Sequence, residues 1–192
     1  MISFKHFFLA SFVFLSVFAE KTIAAPLTDV NLRAGLISAL KQHPSILGFY
    51  KENEYELIWL KNTDISRQRR AELINSLKTA SFHGLPAKKY QVKELLDRLS
   101  TSDSSFEIGF LEGLFMISFT HYASDINSGV LVPSEVDSDI VRESKIEDPN
   151  FYIRGLISRD PYDYFRSLGP QSSEYSRLLV EKVKLMEIAK NG

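Results

Sequence analysis

The sequence predicts an all-α protein, an irregular multi-helix bundle built around a buried central helix at about 106–127. Three observations predict it. Apolar residues recur at helical rather than strand spacing in the segments that follow the N-terminal region. Asp-Pro and Gly-Pro pairs punctuate those segments as helix starts and stops. Residues 106–127 are apolar on more than one face, which in a helix means burial on several sides.

In chain order, "TDVNLRAGLISALKQHP" places Leu32, Leu36 and Leu40 on one helical face, with Pro44 just past its end. "SILGFYKENEYELIWLKN" reads as a short helix followed by a brief extended piece that carries the single tryptophan, Trp59. In "SRQRRAELINSLKTASFHG", Ser66 offers an N-cap, Leu73, Leu77 and Ala80 share a face, and Gly84 supplies a left-handed stop. "YQVKELLDRLS" repeats the pattern with Val92, Leu95, Leu96 and Leu99.

The central helix carries two apolar rows, Phe106, Phe110, Leu114 and Ile117 in one, Ile108, Leu111, Phe115, Tyr122 and Ile126 in the other. Glu112, His121 and Asp125 interrupt it, and its apolar part is short for a membrane span. Gly109 and Gly113 are spaced to let a neighbouring helix come close, and Gly129 and Pro133 end the segment. Two further helices start at Asp148-Pro149 and Asp160-Pro161, and the second stops at Gly169-Pro170. The last helix sets Leu178, Leu185 and Ala189 on one face, with Lys and Glu opposite.

Ahead of this helical region, Lys5 and His6 precede an apolar run from Phe7 to Phe18, followed by small residues at Ala19, Ala24 and Ala25. That order is the order of an export signal, cleaved after Ala19 or Ala25. The division expected is a signal peptide at 1–25 and one helical domain at 26–192, in a periplasmic, exported protein. If the segment stays uncleaved it serves as an N-terminal membrane anchor. Charge is balanced, at 23 Lys and Arg against 24 Asp and Glu, which argues against a nucleic-acid partner. Aromatic residues are abundant, at 14 Phe and 8 Tyr, so the composition is that of a folded chain.

The sequence contains no cysteine, so disulfides, thiolate metal sites and cysteine nucleophiles are excluded within it. His121 and Asp125, four residues apart on the central helix, are the pair that invites a catalytic or metal-binding reading. Two ligands are too few for zinc, and His43 and His83 have no further ligand beside them in the sequence. The plainer reading is an i,i+4 pair whose charges interact at the polar end of a buried helix. Ser118 lies within the helix rather than on a nucleophile elbow, and no phosphate-binding glycine loop or dinucleotide fingerprint is present. Nothing selects a pair of carboxylates for glycosidic chemistry. The residues alone assign no catalytic, cofactor-binding or metal site.

Taken together, several segments resemble the N-terminal helical scaffold region of the large bacterial L,D-transpeptidases, which cross-link peptidoglycan. "FYKENEYELIWL" is similar to the family's aromatic opening segment, through Phe49, Tyr50, Tyr55 and Trp59. "LINSLKTASFHGLPAKKY" resembles its helix and following turn, through Gly84, Leu85 and Tyr90. "GLFMISFTHYASDINSGVLVP" resembles its long helix, through Tyr122, Ala123, Asp125, Gly129 and Pro133. The C-terminal segment is similar through Tyr175 and Leu178. Val130 and Pro86 stand where the family usually has Arg and Asp.

The resemblance covers about residues 46–192. It implies a cell-wall role in which the domain supports catalytic and peptidoglycan-binding modules, with peptidoglycan itself nearby. In the family the nucleophilic cysteine sits in a separate catalytic domain. The expectation is therefore a non-catalytic scaffold portion, a truncated or split gene product, with Trp59 and Tyr122 as core aromatics and Gly84 and Gly129 as helix stops. The alternative is a free-standing periplasmic binding or adaptor protein with the same fold.

Overall fold

A computed structural model of the chain describes residues 29–131 and 146–191. The signal segment and Pro133 lie outside them. Among the described residues the secondary structure is helical, with no strand. The elements are α1 (Val30–Leu40), α2 (Pro44–Glu52), α3 (Asp64–Thr79), two 3-10 turns (Ala80–His83 and Ala87–Tyr90), α4 (Val92–Thr101) and α5 (Ser105–Ser128), then α6 (Pro149–Ser158), α7 (Pro161–Leu168) and α8 (Ser173–Asn191).

Side-chain chemistry starts most of them. Asp29, Asp148 and Asp160 each accept a backbone N–H of the first turn, and Pro149 and Pro161 open their helices. Pro44 does not merely follow α1; it begins α2, where its missing N–H costs nothing. The N-cap of α3 is Thr63 rather than Ser66. Ser66 is buried one turn further on, where its hydroxyl donates to the Ile58 carbonyl at 2.9 Å. α5 opens with a capping box: Ser104 Oγ accepts from Glu107 N, and the Glu107 carboxylate reaches back to Ser104 N. Gly84 adopts the left-handed conformation that stops the turn before it, at φ 77°.

α5 is the axis of the molecule. Of the second apolar row, Leu111, Phe115, Tyr122 and Ile126 are buried and Ile108 is only partly covered; Phe119, outside that row, is buried with them. The first row lies at the rim instead, with Phe106 exposed and Phe110, Leu114 and Ile117 only partly covered. Among the described residues no helix is long and apolar enough to cross a membrane.

The most extensive helix pair is α1 with α5. Its closeness depends on glycine on both sides. A Cβ on Gly109 would stand 1.8 Å from the Leu32 carbonyl oxygen, and one on Gly35 would stand 1.9 Å from that of Phe106. The neighbouring helix that Gly109 and Gly113 anticipate is therefore α1, with Ala39 against Gly113. On the other side Trp59 lies over α5, its ring centroid 5.9 Å from Phe115 and 5.5 Å from Phe119. Phe119 also meets Phe165 of α7.

Two expectations change. The stretch around Trp59 is bent, not extended, for a reason that lies in Glu112 and is given below. The apolar face of α8 does not join the core: Leu178 and Leu185 remain 68% and 64% exposed, Ala189 is exposed as well, and so is the neighbouring Ile188 at 67%. α8 is attached along its other side, where His83 Nδ1 and the Tyr175 hydroxyl lie 2.6 Å apart and Lys182 Nζ donates to the Ser81 and Phe82 carbonyls.

Candidate functional site

The charged group that organises the interior is Glu112. It sits in the middle of α5, fully buried, and every recorded contact of its carboxylate is a donor. Oε1 accepts from the Tyr50 hydroxyl at 2.6 Å and from Ile58 N at 2.7 Å; Oε2 accepts from Leu60 N at 2.9 Å. Trp59 N lies within 3.1 and 3.2 Å of the two oxygens. Three consecutive backbone N–H groups thus converge on one anion, which bends residues 58–60 and sets Trp59 against Phe115 and Phe119. A strand could not do this, because its successive N–H groups point to opposite sides.

Burial pushes the Glu112 carboxyl up against the pull of these hydrogen bonds, and it pushes the Tyr50 phenol well above its ordinary range, with the Glu112 charge adding to the effect. Tyr50 therefore stays a donor. Two guanidiniums from α3 stand behind the carboxylate. Arg70 Nη1 donates to the Trp59 carbonyl, and Arg69 Nη1 makes a long contact of 3.5 Å with the Ile58 carbonyl. Burial holds both below the usual arginine range, while the Glu112 charge works the other way. The arrangement positions a backbone segment. With its oxygens saturated by donors, Glu112 has no lone pair free to take a substrate proton.

The second group is the one the sequence singled out. Asp125 is buried, and its carboxylate goes not to His121 but to Lys89 Nζ at 2.7 and 2.9 Å and to the Tyr90 hydroxyl at 2.8 Å. Burial first, and the Asp125 bond second, raise the Tyr90 phenol well above its ordinary value. His121 is exposed as a residue, but its ring is partly covered where it faces His43 at the start of α2, ring centroids 5.8 Å apart. Its basicity is lowered by burial of the ring, then by Lys89 and His43; Asp125 opposes this with the smallest effect. The expected charge interaction exists but is subordinate to the Lys89 pair.

Ser118, Lys89, Glu94 and His121 border a cavity of about 140 Å³. A Ser–His–Asp relay needs the carboxylate on the imidazole, and here the carboxylate is committed elsewhere. Among the described residues no cluster of three or more His, Asp or Glu side chains is placed to hold a metal. Lys89 and Glu112 were the residues that sequence reasoning missed. Glu112 left a signal, a lone carboxylate inside an apolar helix; Lys89 left none.

Residues 44–181 match the Scaffold domain family. The chain belongs to the Scaffold domain family. No curated protein and no solved structure matches it. The matched range of this scaffold domain runs from the first residue of α2 into the middle of α8 and so includes Glu112, its donors and the Lys89–Asp125–Tyr90 cluster. It leaves out α1, although Leu36 and Leu40 of that helix are fully buried in the same core.

Proposed function

We propose that this scaffold domain is an exported, periplasmic, non-catalytic part of an L,D-transpeptidase-type system for peptidoglycan, holding a catalytic module rather than performing the cross-linking. The observation that carries the reading is the family match over residues 44–181 together with a sequence that contains no cysteine. A thiolate attack on a stem peptide has no nucleophile in these residues. The buried titratable groups agree with a structural role. Glu112 and Tyr50 are spent on the Trp59 segment, and Asp125 and Tyr90 on each other and Lys89.

The exposed apolar residues Leu178, Leu185 and Ile188 on α8 suit a helix that another module covers. Lys5, His6 and the apolar run from Phe7 to Phe18 support export. To test the reading, the chain recovered from the periplasm is assayed for cross-linking of peptidoglycan, alone and with a separately supplied cysteine-containing L,D-transpeptidase catalytic module. No turnover alone and faster turnover with the module is the expected result. Cross-links formed by the isolated chain would overturn it, and so would an unchanged rate on mixing.

A further inference from the structure

Between α2, the bent segment and the start of α3 lies a cavity of about 290 Å³ that neither Glu112 nor the Asp125 cluster uses. Phe49, Ile65 and Ile157 form its apolar part, Lys61 and Arg69 bring positive charge, and Glu56 brings a carboxylate. Lys61 is already paired with Glu56. Arg69 is not: among the described residues it forms no ion pair, its Nε is buried without a hydrogen-bond partner, and its recorded bond is the long contact to the Ile58 carbonyl.

A guanidinium carries five N–H donors in a fixed fork that matches a carboxylate, so most of the capacity of Arg69 is unspent. The local charge count points the same way. Arg69 and Arg70 are two cations beside one buried carboxylate, Glu112, and Arg70 is engaged by the Trp59 carbonyl. With Lys61 and Glu56 offsetting each other, one positive charge is left over at the wall of a hollow that Asn53, Thr63 and Ser66 also line. Arg69 is half-buried, which already disfavours its charge, and an anion in the hollow would give its outer N–H groups a charged partner.

We propose that this cavity is a binding site for a small carboxylate bearing a short apolar group, with Arg69 holding the carboxylate and Phe49, Ile65 and Ile157 receiving the apolar part. The volume lies at the lower edge of the roughly 300–1,000 Å³ typical of ligand pockets, which limits the ligand to the size of an acylated amino acid. The assignment is independent of the cell-wall reading, because both of its supports, the unpartnered guanidinium and the hollow, are local.

The probe is N-acetyl-leucine, titrated into the full chain by calorimetry, with N-acetyl-leucinamide as the uncharged control. Saturable binding of the acid is expected, with the amide about tenfold weaker or more, as befits the loss of a charge-assisted bond. Arg69→Gln abolishes the preference for the acid. Ile157→Trp, which fills the apolar half from α6, weakens binding of both compounds and leaves Arg69 in place should the first variant fold poorly. Arg70→Lys, at a guanidinium already committed to the Trp59 carbonyl, keeps the preference. Equal binding of acid and amide, an Arg69→Gln variant that still prefers the acid, or no saturable binding would each overturn the proposal.

Discussion

Glu112 shows how much one side chain can fix when it is buried among donors only. A neutral carboxyl could give its proton only to the Tyr50 oxygen, whereas the ionised form accepts from Tyr50 and from all three backbone N–H groups. Glu112→Gln makes the test, since its NH₂ would face the same donors. We expect a loss of about 2–4 kcal/mol, measured by urea unfolding, because the donors of residues 58–60 lose the charge they were bent around. A near-neutral result would mean that the native carboxyl is protonated. The facing rings of His43 and His121 give a second prediction. Burial lowers both from the ordinary 6.5, and for His121 the Lys89 and His43 charges add to it, with Asp125 partly opposing. The unfolded chain then binds these protons more readily, so this contribution is complete above pH 6.5 and is lost as the pH falls through 6.5 toward the folded values. The thermal midpoint between pH 8 and pH 5 should fall less steeply in a His43→Gln, His121→Gln double variant, with His83, also lowered, supplying the remainder. Identical slopes in the two proteins would sink this account.

At the scale of elements, the α1–α5 crossing makes a prediction whose sign opposes helix propensity. Replacing an interior helical glycine by alanine ordinarily stabilises by up to about 1 kcal/mol. At Gly109 the new methyl would meet the Leu32 carbonyl, which is backbone and cannot swing aside. Gly109→Ala should therefore destabilise, by about 3 kcal/mol as overpacked cores do, and Gly35→Ala should behave alike from the opposite helix. A stabilised Gly109→Ala protein would show that the two helices are not held so close. The spacing of Gly109 and Gly113 was legible in the sequence, but its partner was not, because small residues report closeness without naming the neighbour. Helix starts were legible wherever the cap carries its own chemistry, as at Asp148 and Asp160. Ser66 misled because Thr63, three residues earlier, is equally able to cap, and the choice rests on the Ile58 carbonyl that draws the Ser66 hydroxyl inward. Asp125 was visible and its partner invisible, since Lys89 arrives through a 3-10 turn far away in the chain. The apolar face of α8 was read correctly as a pattern, but periodicity says which residues share a face and not what covers it.

For the whole molecule, the family range and the physical core do not coincide, and the difference can be measured. The range opens at Pro44, yet Leu36 and Leu40 of α1 are fully buried and α1 covers the glycine-lined side of α5. Each of these leucines is worth about 2–3 kcal/mol of burial, and removing the helix would also uncover the side of α5 it packs on. Against a total stability of roughly 5–15 kcal/mol, that loss is decisive. A chain beginning at Pro44 should therefore lose its cooperative thermal transition, as seen by circular dichroism, whereas one beginning at Asp29 keeps it. The opposite end behaves differently. α8 touches the rest through His83, Tyr175 and Lys182 and leaves Leu178, Leu185 and Ile188 in solvent, so ending the chain at Gln171 should shift the midpoint by only a few degrees. Amide exchange gives the same contrast within the intact protein: slow in α1 and α5, fast along the last turns of α8. If instead the chain from Pro44 melts like the longer one, α1 is an accessory rather than a wall of the core. The scaffold would then be the matched range alone.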